Sequence, residues 1–272
     1  MPTFEKTKLK LSNGSLMPTV ELGCGPTPFV TIPGAGDGIS TAYDAARSMA
    51  WFYRRRAPHQ HMYIMSRRED IPLDYTIADH ARDYIEALDR LHLGPVILEC
   101  NSAGGPIGQL IAANRPDLVR ALVLASTSHK IDADAADVIE GWLTMVGNGQ
   151  WAEFGWDTTV KTYCSAERFH WAAPALKPIL GAVTRPKDPD RLHRLLQGLL
   201  EVDNSSILAD ITCPTLVFGG TRDPIFGSEL QRQMARGIAG ARLVQAPDYL
   251  HGADLESPEY PKAIVELIVA TY

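Results

Sequence analysis

The chain has 272 residues, 45% hydrophobic and 21% charged, with a formal net charge of −6. This is an ordinary globular composition, long enough for a large core in one or two domains. No basic stripe points to nucleic acid, no apolar run approaches the roughly 18 residues of a membrane span, and residues 1–6 lack the apolar stretch of a secretory signal. Cys24, Cys100, Cys164 and Cys213 show neither CxxC nor zinc spacing and read as reduced thiols of a cytoplasmic protein.

Residues 4–11 and 15–22 read as two strands joined at Asn13-Gly14, a hairpin-turn pair. Phe29–Ile32 is a buried strand that runs into Pro33-Gly34-Ala35-Gly36-Asp37-Gly38, a loop with little side-chain bulk. Residues 40–54 carry a helical apolar side, with Arg54-Arg55-Arg56 as its solvated end near the negative pole of the helix dipole. His61–Met65 is a strand. Thr76 and Asp79 resemble a capping box, opening a helix whose Ile77, Ala81, Tyr84, Ile85, Leu88 and Leu91 share one face. A strand at 95–100, a helix at 103–114 and a strand at 121–125 follow. Alternating strands and helices over 29–125 predict an α/β fold with a mostly parallel sheet covered on both faces.

Residues 129–207 break that alternation. Helical segments near 133–147, 150–163, 166–182 and 188–202 carry Trp142, Trp151, Trp156, Trp171, Tyr163 and Phe169. The stretch reads as a helical cap, whose aromatics either pack its own helices or line a pocket. The βα pattern resumes with strands at 214–219 and 242–245 and helices near 227–237 and 258–271. The predicted organisation is therefore one core domain, 1–128 with 208–272, interrupted by a cap at 129–207.

Pro95–Pro106 carries the chemistry. An apolar strand ends in small residues, Ser102 follows, and Gly104, Gly105 and Pro106 lead into a helix. That is the pattern of a sharp strand–turn–helix junction from which a serine projects, although a serine N-cap has the same local appearance. A serine nucleophile needs a base, an acid that orients it and donors for an oxyanion. In a parallel sheet these belong on loops after strand ends. Asp223 lies there, in Gly220-Thr221-Arg222-Asp223-Pro224, where an aspartate can also serve only its turn. His251 lies between the last strand and the last helix. The loop 33–36 can supply an oxyanion amide from Ala35, and the turn after Ser102 another from Ala103. No metal or nucleotide pattern is present and no cofactor is expected.

The order oxyanion loop, Ser, acid, His, each at a strand end, resembles the α/β-hydrolase fold superfamily, specifically its cap-bearing lipase-like and esterase-like members. The resemblance covers essentially the whole chain. It implies Ser102 as nucleophile, His251 as base, Asp223 as acid, and the amides of Ala35 and Ala103 as oxyanion donors. No acidic residue occurs in Ser126-Thr127-Ser128, where some members place the acid. Three positions depart from the family pattern. Cys100 replaces the first glycine of G-x-S-x-G, Pro33-Gly34 replaces His-Gly, and Glu99 stands where an apolar residue is usual. A carboxylate inside a central strand must be paired, protonated or near the site. Cys100 as nucleophile is a minor alternative, because the elbow geometry belongs to position 102.

Serine rather than aspartate at 102 argues against dehalogenases and epoxide hydrolases. The expected activity is hydrolysis of a carboxylic ester, thioester or lactone of a small apolar substrate through an acyl-enzyme. Asn101–Gly105 with Pro33–Gly36 is also similar to carbon–carbon hydrolases of aromatic degradation. Those carry a Trp soon after the histidine, where this chain has Gly252-Ala253-Asp254. A small-molecule receptor on the same fold is the remaining alternative. The expected partner is a small molecule, not nucleic acid.

Overall fold

The computed structural model describes residues 2–271. Strands β1 (Phe4–Lys10) and β2 (Leu16–Gly23) pair antiparallel, with Lys10 opposite Leu16. The loop between them closes at the predicted turn: Gly14 has φ +89°, and the Asn13 side chain accepts the Ser15 N–H at 3.0 Å.

After β3 (Pro28–Ile32) comes α1 (Ala46–Phe52), shorter than the expected 40–54. The Ala42 N–H bonds the Ser66 hydroxyl at 2.7 Å and the Asp44 N–H the Thr41 hydroxyl at 3.2 Å, so residues 41–45 form local turns instead of a helical turn. A 3-10 turn at Tyr53–Arg55 closes α1. Then follow β4 (His61–Met65), α2 (Ile77–Leu91), β5 (Val96–Asn101), α3 (Gly105–Asn114) and β6 (Val119–Ala125). The α2 capping box forms in both directions, Asp79 N–H to Thr76 Oγ1 at 3.2 Å and Thr76 N–H to Asp79 Oδ2 at 2.9 Å.

Between β6 and the next strand lie α4 (Ala133–Gly147), α5 (Trp151–Thr162), α6 (Ala173–Thr184) and α7 (Pro189–Leu199). The helix expected at 166–182 divides: Cys164–Ala172 is 3-10, and α6 starts afresh at Ala173 with a proline in its first turn. An isolated bridge pairs Lys130 with Asp203, joining the ends of the segment. The chain finishes with β7 (Thr215–Gly220), α8 (Ser228–Gly237), β8 (Arg242–Ala246), the short α9 (Ala253–Glu256) and α10 (Glu259–Thr271).

The eight strands form one sheet in the order β1-β2-β4-β3-β5-β6-β7-β8, parallel from β4 to β8. Period-two alternation sends β5 and β6 residues to two cores. Val96, Leu98, Cys100, Leu122 and Leu124 pack with Tyr84 of α2, Ile107 of α3 and Met234 of α8. Ile97, Ala121, Val123 and Ala125 pack with Ala46 of α1 and Tyr260 and Ile264 of α10. A third cluster joins Ile139, Trp142, Phe154, Leu192 and Leu196 of the inserted helices to Ala103, Ile225 and Phe226, which follow β5 and β7. The inserted helices therefore lie over the carboxyl ends of the strands. Among the described residues no helix is long and apolar enough to cross a membrane.

Candidate active site

Parallel strands end on the same edge of the sheet, so the loops after β3, β5, β7 and β8 converge there. Ser102 follows β5 with φ +49°, in the left-handed region that a serine rarely adopts. A 3-10 turn, Ser102–Gly104, then leads into α3. The Thr127 hydroxyl holds this turn by donating to the Ser102 carbonyl at 2.7 Å.

The Ser102 hydroxyl lies 2.9 Å from His251 Nε2, and His251 Nδ1 lies 2.9 Å from Asp223 Oδ2. A carboxylate only accepts, so Nδ1 carries the proton, and Nε2 is left to accept from the serine. The other Asp223 oxygen accepts the Ile225 and Phe226 N–H groups at 2.8 and 3.0 Å, which fixes the carboxylate. Burial pulls the imidazolium pKa down, but the charge and hydrogen bond of Asp223 more than restore it, leaving His251 above the ordinary 6.5. The backbone of the His251 loop is tied to the end of α5: His251 N–H donates to Lys161 O at 3.2 Å and Gly252 N–H to Thr162 O at 2.7 Å.

Ala35 opens a 3-10 turn, Ala35–Gly38, whose first internal bond is Asp37 N–H to Gly34 O. Its own N–H has no acceptor within that turn. Gly34 lies against the nucleophile turn, since a methyl group added there would stand 3.0 Å from Ser102 Cβ. Ala103 occupies the start of the opposing turn.

Sequence reasoning missed what holds these two turns together. Arg67, buried after β4, donates Nη1 to Pro33 O at 2.9 Å and Nη2 to Ala103 O at 2.9 Å. Asp37 accepts the Arg67 N–H at 3.0 Å and Arg191 Nη2 of α7 at 2.9 Å. A pair of arginines one residue after a strand, Arg67-Arg68, was the available signal, because a charge near a strand end must find a partner or water.

The departures at 99 and 100 resolve by face. Cys100 points to the α3 side, and burial pushes its thiol well above the ordinary 9.0, which leaves it a structural residue. Glu99 points to the α1 and α10 side. There Arg56 bonds both its oxygens at 2.8 and 2.9 Å, the Tyr260 hydroxyl donates at 2.6 Å and the Thr31 hydroxyl at 3.2 Å. Burial pushes its pKa up, but the Arg56 charge and these donors outweigh it, leaving it below the ordinary 4.5. The expectation that Arg54–Arg56 is a solvated helix end is thus corrected: Arg54 and Arg55 are exposed, whereas Arg56 turns inward to Glu99.

A cavity of about 720 Å³ contains Ser102, His251 and Ala35 in its wall. Trp142 and Phe154 from the inserted helices line it, along with Phe52 and Tyr53, so both roles considered for the aromatics occur: Trp142 also packs edge-on against Phe154, while Trp171 is exposed. Asp254 and the Glu99–Arg56 pair belong to the same wall. Among the described residues no group of three or more His, Cys, Asp or Glu could hold a metal ion.

A relative named for carbamate hydrolysis, RutD of Klebsiella pneumoniae (strain 342), is 23% identical over 250 residues, covering 84% of this chain and 88% of its own. The (E)-2-((N-methylformamido)methylene)succinate hydrolase of Acinetobacter baylyi is 25% identical over 260 residues, covering 92% and 93%. The crystal structure of the enol-lactonase from Burkholderia xenovorans LB400 superposes with a TM-score of 0.80 at 19% identity, over 97% of this chain and 100% of that one. The family model Hydrolase_4, described as serine aminopeptidase, S33, matches residues 67–257, and the chain belongs to this family of α/β-hydrolases.

Proposed function

We propose that the protein is a serine hydrolase that cleaves a carboxylic ester, thioester or lactone of a small, largely apolar substrate. The observation that carries this reading is the hydrogen-bonded series Ser102–His251–Asp223 opening on the cavity. His251 Nε2 takes the Ser102 proton as Oγ attacks the substrate carbonyl. The amides of Ala35 and Ala103 hold the resulting oxyanion, and loss of one such donor typically costs roughly 2.7–4 kcal/mol of transition-state stabilisation. The tetrahedral species collapses, and the His251 proton passes to the leaving alcohol or thiol. Water then attacks the acyl-serine, giving its proton to His251, and the acid departs as Ser102 recovers a proton. Asp223 keeps the imidazole in the required tautomer.

The helices within 129–207 act in this reading as a cap, and 1–128 with 208–272 as the core domain that carries the catalytic groups. Their apolar side chains in the cavity wall support an apolar substrate portion. The unpaired state of Cys24, Cys100, Cys164 and Cys213 fits the cytoplasmic location we assign it. The proposed partner is a small molecule.

A fluorophosphonate probe tests the nucleophile: wild type labels and Ser102→Ala does not. Equal labelling of both proteins would sink the assignment. A panel of p-nitrophenyl esters, a thioester, a lactone, an aryl carbamate and a ring-fission dienone then separates acyl transfer from carbon–carbon cleavage.

A further inference from the structure

The cavity has a polar end that ester cleavage at Ser102 does not use. Glu99 is three residues before Ser102 on β5, roughly 10 Å along the strand. It lines the same cavity as Ser102, together with Arg56, Tyr260 and Asp254. The Tyr260 hydroxyl donates to Glu99 at 2.6 Å, and burial with the Glu99 and Asp254 charges pushes its pKa well above the ordinary 10.0.

Asp223, Glu99 and Asp254 differ in the donors they accept. Asp223 accepts from His251 and from two backbone amides. Glu99 accepts from two Arg56 nitrogens, Tyr260 and Thr31. Asp254 accepts two side-chain donors, Ser126 Oγ at 2.7 Å on one oxygen and Asn101 Nδ2 at 2.8 Å on the other. A carboxylate has about four acceptor positions, and Asp254, half-buried in the cavity wall, keeps acceptor capacity towards the cavity. Both donors to Asp254 are themselves cavity-lining, and Ser126 is held in place at φ +49° by its own N–H bond to Phe218 O. Burial pushes the Asp254 carboxyl above the ordinary 3.8 despite these two bonds.

We propose that this end of the cavity is a substrate subsite for a hydroxyl group, with Asp254 as the acceptor of its proton. The assignment rests on Ser102 as nucleophile and names the substrate class: esters or lactones bearing a free hydroxyl group. An anionic group meets Asp254, and Arg56, the one arginine or lysine of the wall among the described residues, is already paired with Glu99. An ammonium group only donates and would stand beside the Arg56 guanidinium. A hydroxyl donates to Asp254 and can also accept, and Arg56 keeps two of its five N–H groups after bonding Gln60 and Glu99.

The test compares kcat/KM for p-nitrophenyl hexanoate, 6-hydroxyhexanoate, 6-aminohexanoate and the adipate monoester, with the eight-carbon series beside it. Hexyl and 6-hydroxyhexyl acetate cover the alcohol side. In at least one series the hydroxylated ester exceeds the plain one by about tenfold, the advantage of a hydrogen bond to a charged group, and the amino and carboxylate esters fall below it. The hydroxy-to-plain ratio drops towards one in Asp254→Ala, or in the isosteric Asp254→Asn if the first variant does not fold. No hydroxyl preference in any series, a preference for the amino ester, or a ratio untouched by both variants overturns the subsite while leaving the hydrolase reading intact. Binding of 7-hydroxyheptan-2-one and heptan-2-one to Ser102→Ala, measured by calorimetry, reads the subsite without turnover. Tighter binding of the hydroxyketone supports it even if no ester is cleaved, and equal affinities refute it.

Discussion

A methyl group placed on Gly108 would stand 2.2 Å from the Cys100 sulfur, so the side chain that replaces the expected glycine at the elbow occupies the space beside α3. The two residues are matched in volume. Gly108→Ala gains up to about 1 kcal/mol of helix propensity, but overpacking of this kind costs typically about 1–3 kcal/mol. Urea unfolding is expected to show Gly108→Ala less stable than wild type and Cys100→Ala/Gly108→Ala restored relative to that single variant. Undiminished stability of Gly108→Ala would mean that α3 shifts freely, against its tight seat on β5.

The pH profile tests the His251–Asp223 contact. The proposed base must be neutral to accept the serine proton, so kcat/KM rises with pH as His251 deprotonates. Because its pKa is raised, the midpoint of that acid limb is expected above 6.5. Asp223→Asn removes the charge that raises it and permits the wrong tautomer. It is expected to move the limb to lower pH and to reduce kcat by about 10⁴-fold, the scale known for such triads. An acid limb at the same pH in both proteins would assign it to another group.

Glu99 and Arg56 are a stability test. Glu99→Gln leaves the inward Arg56 guanidinium bonded to Gln60 but without its counter-charge, a change that costs up to about 3–5 kcal/mol in buried pairs. The sign with pH follows from the lowered carboxyl pKa. The Glu99 contribution is complete above its ordinary 4.5 and is lost as pH falls through the lower folded value. Thermal unfolding is therefore expected to show the deficit of Glu99→Gln at neutral pH and a narrowing of the gap in acid. A deficit that stays constant as pH is lowered would show that the lost interaction does not depend on the Glu99 charge.

The strand–helix alternation was legible because it is local. Val96–Leu98 and Leu122–Leu124 read as doubly covered strands, and they lie between two helical layers. Helix ends were less legible where a tertiary hydrogen bond competes, as when Ser66 takes the Ala42 N–H ahead of α1. Ser102, Asp223 and His251 could be singled out by their positions after strands, since parallel strands deliver such loops to one edge. Arg67 left only the signal of a charge after a strand, and its partnership with Asp37 and Arg191 left none, because it joins segments far apart in the chain and has no spacing to read.

What the sequence determined by itself is the order of elements and the kinds of groups present at strand ends, since both follow from periodicity and residue chemistry along the chain. Only the tertiary structure decided what Cys100 and Glu99 do. Their odd and even places on β5 send them to opposite faces of the sheet, one against Gly108 and the other to Arg56 and Tyr260. It alone also placed Asp254 in the cavity wall with two donors. Burial and hydrogen-bond satisfaction belong to neighbours in space, and those neighbours are brought together by packing.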